Sequence, residues 1–88
     1  MIFKIKDNVD LKQLEKFEFE EGKGEWSKLI DSFLDADELI IRENRIITNW
    51  TCVETYDDYY AGEQEINEYT KFKIKDLIEA GLVEEVEE

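Results

Sequence analysis

The longest run of strand-forming residues in the chain is Leu39-Ile40-Ile41-Arg42-Glu43-Asn44-Arg45-Ile46-Ile47-Thr48-Asn49-Trp50-Thr51-Cys52-Val53. The run is rich in β-branched residues and breaks once, at Glu43-Asn44. Because Asn tolerates positive φ, a two-residue turn there predicts a β-hairpin in which Ile41 faces Ile46. Cross-strand partners share a sheet face, so this register puts Trp50 and Cys52 beside Ile41. We expect this face, which carries the large indole, to be the core.

The segments before the hairpin alternate between strand and helix signals. Ile2–Lys6 interleaves apolar residues with lysines and predicts a half-buried strand. Asp10 is a good N-cap for a short helix over 11–16. Phe17–Glu20 alternates again and predicts a second strand, and Gly22–Gly24 predicts a turn after it.

Glu25–Leu34 carries two competing signals. Its apolar residues fall at helical spacing, but its start also suits a strand that pairs back on Phe17–Glu20 across the glycine turn. We prefer a strand over 25–30 followed by an irregular or helical turn. Asp35–Glu38 predicts an acidic loop that leads into the hairpin.

The segments after the hairpin begin with an acidic stretch. Glu54–Glu68 contains no basic residue and predicts a loop, while 66–72 suits either a strand or the start of the last helix. That helix is expected over 74–80, with Leu77 and Ile78 buried and Gly81 as its C-cap. A short strand over 82–86 follows.

This order of elements predicts the fold class. It is α+β, with a small antiparallel sheet around the central β-hairpin and two short helices mainly on one face. At 88 residues, with 42% hydrophobic residues, we expect residues 1–88 to form a single domain with one modest core.

The composition narrows the class of partner. Twenty-four acidic residues stand against 11 basic ones, a net charge of -13. This charge argues against direct binding to nucleic acid or to an anionic membrane, and it favours a basic protein as partner. A lone cysteine cannot form an internal disulfide, and no stretch is apolar enough to span a membrane, which together fit the cytoplasm.

The residue types argue against an enzyme. The chain has no histidine, which removes the commonest general base and metal ligand. One cysteine excludes a zinc cluster, and the four glycines are isolated, so no phosphate-binding loop is present. Paired carboxylates are abundant, but any acidic surface produces them by chance. We expect no enzymatic activity, no cofactor and no bound metal.

One stretch suits a protein interface. Tyrosines beside carboxylates in a loop give rigid contact area and attract a basic partner. The candidate partner-binding residues are Tyr56, Asp57, Asp58, Tyr59, Tyr60, Glu63, Glu65 and Glu68, together with Asp35, Asp37 and Glu38 of the earlier acidic loop. In the alternative interpretation, Tyr59 or Tyr60 packs on the sheet and the acids are solvated.

The two ends of the chain resemble a known group. Its members have an N-terminal pattern Leu-x-x-Leu-Glu-x-x-Gly-Phe and a C-terminal pattern Asp-Leu-Ile-x-x-Gly-Leu-Val-Glu. Here Leu11–Phe19 and Asp76–Glu84 correspond to them, with Glu18 in place of the glycine. This resembles short proteins of phages and prophages of Gram-positive bacteria. The resemblance implies a phage or mobile-element origin, where small acidic proteins inhibit host machinery, anti-CRISPR proteins and DNA mimics among them.

These observations predict a non-enzymatic phage-type accessory protein. It would bind and inhibit a basic host protein that handles nucleic acid, such as a CRISPR nuclease complex or another nucleic-acid-binding enzyme. The alternative is a small homo-oligomeric assembly module, for example a homodimer, that pairs copies through an exposed hairpin edge or through Ile40, Ile47 and Val53. An enzyme ranks third.

Overall fold

The computed structural model describes residues 2–31, 35–54 and 59–87. The described residues form a small α+β fold of antiparallel strands in two sheets with short helices, so the predicted class is confirmed. The strands are β1 (Ile2–Ile5), β2 (Glu20–Gly22), β3 (Glu25–Asp31), β4 (Asp35–Ile41), β5 (Ile47–Glu54), β6 (Tyr59–Glu65) and β7 (Val83–Val86). The helical segments are a 3₁₀ helix (Leu11–Phe17), a second 3₁₀ helix (Lys71–Ile74) and the α-helix α1 (Lys75–Glu79).

The two sheets meet at the turn of the central hairpin. The larger sheet has the order β2-β3-β4-β5-β6, in which each strand pairs with its sequence neighbours, and β1 pairs with β7 in the smaller sheet. The N–H of Ile5 donates to the C=O of Arg45 at 2.9 Å, and Lys4 bridges Ile46. β1 therefore links the smaller sheet to the start of β5.

One buried cluster joins the sheets and the helical segments. Side chains from every layer contribute to it, and eight are less than 2% exposed: Ile5, Leu14, Leu39, Ile41, Ile47, Ile66, Ile74 and Leu77. Leu14 comes from the first 3₁₀ helix, and Ile74 and Leu77 come from the last helical segments. The helices thus pack on the face of the larger sheet that carries Leu39 and Ile41.

The predicted β4–β5 hairpin is present, but its register is shifted by one residue. Ile41 pairs with Ile47 and not with the predicted partner, Ile46. The N–H of Arg45 donates to the C=O of Arg42 at 2.9 Å, and Arg45 has a φ of 66°. A three-residue loop ending in a left-handed residue therefore replaces the predicted two-residue turn.

Tertiary contacts explain why Arg45 adopts this conformation. Its Nη1 donates to the C=O of Lys6 and to the C=O of Val9, both at 2.7 Å. Asparagine adopts positive φ more readily than arginine does, but here the residue with positive φ is Arg45. The Oδ1 of Asn44 accepts a hydrogen bond from the N–H of Ile46 at 3.1 Å. The turn is thus set by the loop after β1, more than 30 residues earlier in the chain.

The register shift reverses the predicted faces of β5, because side chains alternate with a period of two. Trp50 is half-buried and Cys52 is half-buried, both on the face opposite the core, so the prediction that they belong to the core is wrong. The buried tryptophan is Trp26 of β3, which is 5% exposed and pairs with Ile41.

Three other predicted boundaries are wrong. Phe17 ends the first 3₁₀ helix, so the strand expected over 17–20 begins only at Glu20. Asp35–Glu38 belongs to β4, and much of the loop expected over 54–68 is β6. In both acidic segments, pairing with β5 supplies the backbone hydrogen bonds that make a polar sequence a strand.

The glycine signals are confirmed. Lys23 and Gly24 have φ of 53° and 79° and form a two-residue turn between β2 and β3, and β3 confirms the preferred strand over 25–30. Gly81 has φ of 77° after α1, as the predicted C-cap requires. Leu77 is buried as expected, but Ile78 is 40% exposed, which corrects its predicted burial.

Candidate protein-binding face

The register places a second set of side chains on the face of the larger sheet that points away from the core, which we call the outer face. Among the rows of cross-strand neighbours on it are Glu20, Ser27, Ile40, Thr48 and Glu65, and next to them Leu29, Glu38, Trp50 and Glu63. The fully buried residues of the helical segments all join the cluster on the opposite face. The helices in the described ranges therefore cover only one face of this sheet.

The outer face carries large apolar side chains. Leu29 is 68% exposed, and Trp50 is half-buried in the same row. Ile40 is 7% exposed but does not belong to the core cluster. Apolar side chains on a sheet face that no described helix covers are typical of an interaction surface.

Glutamates lie at the ends of one row and between the apolar residues of the other. Glu20 and Glu65 end one row on opposite edges of the sheet, four strand spacings apart, or roughly 19 Å. Glu38 and Glu63 flank Trp50 in the other row. Leu29 ends its row, and Glu38 lies between Leu29 and Trp50. The outer face therefore combines apolar side chains with carboxylates, and a protein interface uses both.

Arg42 ties two of the strands together on this face. Its guanidinium contacts both carboxylate oxygens of Glu63, at 2.5 and 3.3 Å, and its Nε lies 3.2 Å from Glu25 Oε2. The hydroxyl of Thr48 donates to Glu63 at 2.5 Å. The hydrogen bonds from Arg42 and Thr48 hold the pKa of Glu63 below its usual value, and the bond to Glu63 raises the pKa of Arg42.

A second polar cluster lies on the opposite, core face. Asp37 is 6% exposed and accepts hydrogen bonds from Thr51 and from Lys73 Nζ, the latter at 3.1 Å. Lys73 also contacts Asn49 Oδ1 at 3.4 Å. Burial of Asp37 raises its pKa, but hydrogen bonds from Thr51 and Lys73, the charge of Lys73 and a hydrogen bond from Asn49 together lower it below the usual value. This cluster fixes the second 3₁₀ helix to the sheet.

The structure brings only some of the predicted partner-binding residues together. Glu38, Glu63 and Glu65 share the outer face. Asp37 lies on the core face, where Lys73 pairs with it, and Glu68 is exposed in the turn before the second 3₁₀ helix. Others are placed only by their element or not at all: Asp35 lies in β4, Tyr59 and Tyr60 lie in β6, and Tyr56, Asp57 and Asp58 fall outside the described residues.

Sequence reasoning missed the apolar side chains of this face. Trp26 and Leu29 are an odd number of residues apart, so in a strand they must lie on opposite faces. The preferred strand over 25–30 therefore already implied that one of them faces away from the core. The missing information was which face of β5 carries Trp50, and that depended on the register.

The described residues contain neither a cluster of metal-ligating side chains nor a membrane-spanning helix. Within 2–31, 35–54 and 59–87, no group of three Asp, Glu, Cys or His side chains is placed to hold a metal ion. In the same ranges no helix is long and apolar enough to cross a membrane.

Comparison with known proteins adds no relative: no protein-family model matches the chain, and searches of curated proteins and of solved structures give no significant match.

Proposed function

We propose that this chain is a phage-type accessory protein that binds and inhibits a basic, nucleic-acid-handling protein of a bacterial host, without enzymatic activity of its own. The outer face, on which Leu29 and Trp50 alternate with Glu38 and Glu63, is the observation that carries this proposal. The target class is a CRISPR nuclease complex or another nucleic-acid-binding enzyme, and the place of action is the host cytoplasm.

The charge supports a basic partner. The protein carries a net charge of -13, so its field attracts cationic surfaces over a Debye length, about 8 Å at physiological ionic strength. Proteins that handle nucleic acid present such surfaces to phosphates. Acids on the rim speed association with such a partner, because complementary fields steer the encounter.

The apolar side chains of the outer face support a specific complex rather than charge attraction alone. Exposed rim charges add little affinity, since solvent screens them. Large apolar side chains that become buried at the centre of an interface contribute most of its free energy. Leu29 and Trp50 lie on either side of Glu38 on the outer face. We expect a partner to bury both, so that they set the lifetime of the complex.

The homo-oligomeric alternative was predicted to use a hairpin edge or a face with Ile40, Ile47 and Val53. Ile47 is fully buried on the core face and does not share a face with Ile40, so that predicted face is wrong.

The outer face is also a poor surface for self-association. Two copies that met through their outer faces would bring the glutamates of one copy against those of the other. Arg42, which lies on this face, is already paired with Glu63 and Glu25, so it does little to offset this repulsion. Like charges in direct opposition are destabilising, which favours a basic partner over a second copy.

The test is a binding and inhibition assay against a panel of purified enzymes. A CRISPR nuclease complex, RNA polymerase, a restriction enzyme and a DNA-repair enzyme are each assayed with and without the protein, at low and moderate salt. We expect the protein to bind and inhibit one class, with association that slows as salt rises. A pull-down from bacterial lysate extends the panel.

Matched variants locate the surface. Reversing Glu20, Glu38 and Glu65 to Lys should slow association, whereas the control variant reverses the exposed residues Glu15, Glu43 and Glu87 and changes the net charge equally. Leu29→Ser should speed dissociation. Equal effects of the two charge variants would remove the outer face from the interface. A tight dimer seen by light scattering, with no panel member bound, would favour the assembly module.

A further inference from the structure

A groove lies between β7 and the last helical segments, away from the outer face. It has a volume of about 450 Å³ and is lined on one side by Phe72 and Ile78 and on the other by Val83 and Glu85. Phe72 is 69% exposed and Ile78 is 40% exposed, although both are apolar. Lys71 and Lys75 line the helical side, and their aliphatic stems extend its apolar surface.

The backbone of β7 has a free edge on the side away from β1, next to this groove. The N–H of Lys6 donates to the C=O of Leu82 at 2.9 Å, in register with the pairs of β1 and β7. Hydrogen-bonded pairs alternate along an antiparallel ladder, so Glu84 pairs with β1 while the N–H and C=O of Val83 and Glu85 point away from it. In the described residues β7 has β1 as its only strand neighbour, and Val83 and Glu85 both line the groove.

We propose that β7 and this groove bind an extended, basic peptide segment of a partner protein, which adds to the smaller sheet as a third strand. The segment pairs its backbone with Val83 and Glu85. Its side chains on the same face enter the groove against Phe72 and Ile78. This recognition mode combines hydrogen bonds from a free strand edge with a pocket that selects alternate side chains. It does not depend on the outer face.

Charge complementarity identifies the occupant. Three glutamates, Glu68, Glu84 and Glu85, line the groove against two lysines. The carboxylate of Glu84 is 3.9 Å from Lys4 Nζ. A basic residue in the neighbouring strand would share that carboxylate, and opposite charges across strands are favourable. The segment should therefore alternate apolar residues, which face the groove, with lysine or arginine.

A second copy of the chain is a poorer occupant. If β7 paired with β7 of another copy, the strands would bring Glu84 and Glu85 close to the same residues of the partner. Like charges in opposite strands are destabilising, and each chain carries a net charge of -13. Glu84 and Glu85 therefore disfavour pairing of the free edge of β7 with a second copy.

The test uses a labelled peptide of sequence Lys-Val-Lys-Phe-Lys-Val-Lys and fluorescence anisotropy at physiological salt. A peptide of the same composition, Lys-Lys-Lys-Phe-Val-Val-Lys, has the same charge without the alternation. We expect the alternating peptide to bind at least about tenfold more tightly, a difference that charge alone does not produce. Hydrogen exchange should slow at the amides of Val83 and Glu85 when it binds, with little change at Glu84.

Two exposed substitutions complete the test. Phe72→Ser should weaken binding of the alternating peptide by about tenfold, while Leu29→Ser, an equally exposed position on the outer face, should leave it unchanged. Circular dichroism checks that both variants are folded. Equal affinity for the two peptides, unchanged exchange at Val83 and Glu85, or dimerisation through β7 would each overturn the proposal.

Discussion

At the scale of single residues, Asp37 is the acid whose environment departs most from the sequence prediction. An acidic loop residue was expected, but its carboxylate lies in the core face beside Lys73, with side chains 8% and 15% exposed respectively. Removing one partner of such a pair leaves the other charge buried and unpaired. The Asp37–Lys73 pair therefore adds little net stability while it is intact, but breaking it by removing one partner is strongly destabilising.

We predict that Asp37→Asn lowers the free energy of unfolding by about 3 kcal/mol at neutral pH, because Lys73 loses its counter-ion. That is a large part of the roughly 4–13 kcal/mol expected from ~0.05–0.15 kcal/mol per residue. Urea unfolding followed by circular dichroism measures it. As control, replacing Asp37 with Leu and Lys73 with Met together should cost much less. A fully stable Asp37→Asn protein would show that the pair contributes nothing.

The same residue gives a pH dependence with a defined sign. The pKa of Asp37 is lower in the folded protein than its unfolded value of about 3.9, so the folded state stabilises the carboxylate. This contribution is present above pH ~3.9 and is lost as the pH falls through the lowered folded-state pKa. The stability difference between the parent and Asp37→Asn should therefore be full at pH 7 and shrink at strongly acidic pH. A difference that grows on acidification would contradict this sign.

The two tryptophans give a matched pair of substitutions. Trp26 is 5% exposed in the core, whereas Trp50 is half-buried on the outer face. We predict that Trp26→Ala destabilises the protein by about 3–5 kcal/mol and Trp50→Ala by clearly less, because truncating a buried aromatic also leaves a cavity. Thermal unfolding of the two variants tests this. Equal losses would mean that the outer face is covered as tightly as the core.

At the scale of elements, backbone conformation at the end of the first 3₁₀ helix decides where β2 begins. Glu18 has φ of 70° and its N–H donates to the C=O of Glu15 at 3.2 Å, which ends the helix. An L-residue in this left-handed region costs about 1–2 kcal/mol, which glycine avoids. Replacing Glu18 with glycine should therefore gain less than this full cost, because glycine loses more backbone entropy on folding than other residues do.

We predict that Glu18→Gly raises the free energy of unfolding by about 0.5–1 kcal/mol, and the melting temperature by several degrees. Glu18→Ala is the control, because it removes the same charge but keeps the strained conformation. Differential scanning calorimetry of both variants distinguishes the two effects. A gain of equal size in Glu18→Ala would show that relief of charge repulsion is responsible.

At the scale of the whole molecule, unbalanced charge opposes the compact state. The net charge is -13, and several of the ion pairs, such as Lys75 with Glu79 and Lys4 with Asp7, are substantially exposed. Exposed pairs contribute about 0–1 kcal/mol each. Repulsion among the remaining carboxylates therefore outweighs them at low ionic strength.

We predict that the melting temperature at neutral pH rises when NaCl is raised from about 0.01 to 0.15 M, because the Debye length falls from ~30 to ~8 Å. The variant with Glu15, Glu43 and Glu87 changed to Lys has a less negative net charge. The melting temperature of this variant should therefore rise less over the same range of NaCl concentration. A flat or falling melting temperature in the parent would mean that paired charges dominate.

The sequence by itself determined the features that depend on individual residues and their near neighbours. β1, the glycine turn after β2, the position of the central hairpin and the Gly81 cap follow from alternation and from which residues adopt positive φ. The α+β class followed from these. The glutamates around Glu63 and Glu65 were also recognisable as a candidate acidic surface, because local composition is evident from the sequence without knowledge of the fold.

Only the tertiary structure decided the hairpin register, the core tryptophan and the pairing of Asp37. Arg45 takes its left-handed conformation because two carbonyls of the loop after β1 accept its guanidinium protons. That one-residue change moves Trp50 from the expected core to the outer face. Asp37 pairs with Lys73, which is 36 residues later in the sequence. Such contacts join segments distant in sequence, so no local pattern specifies them, and they determine which side chains face a partner.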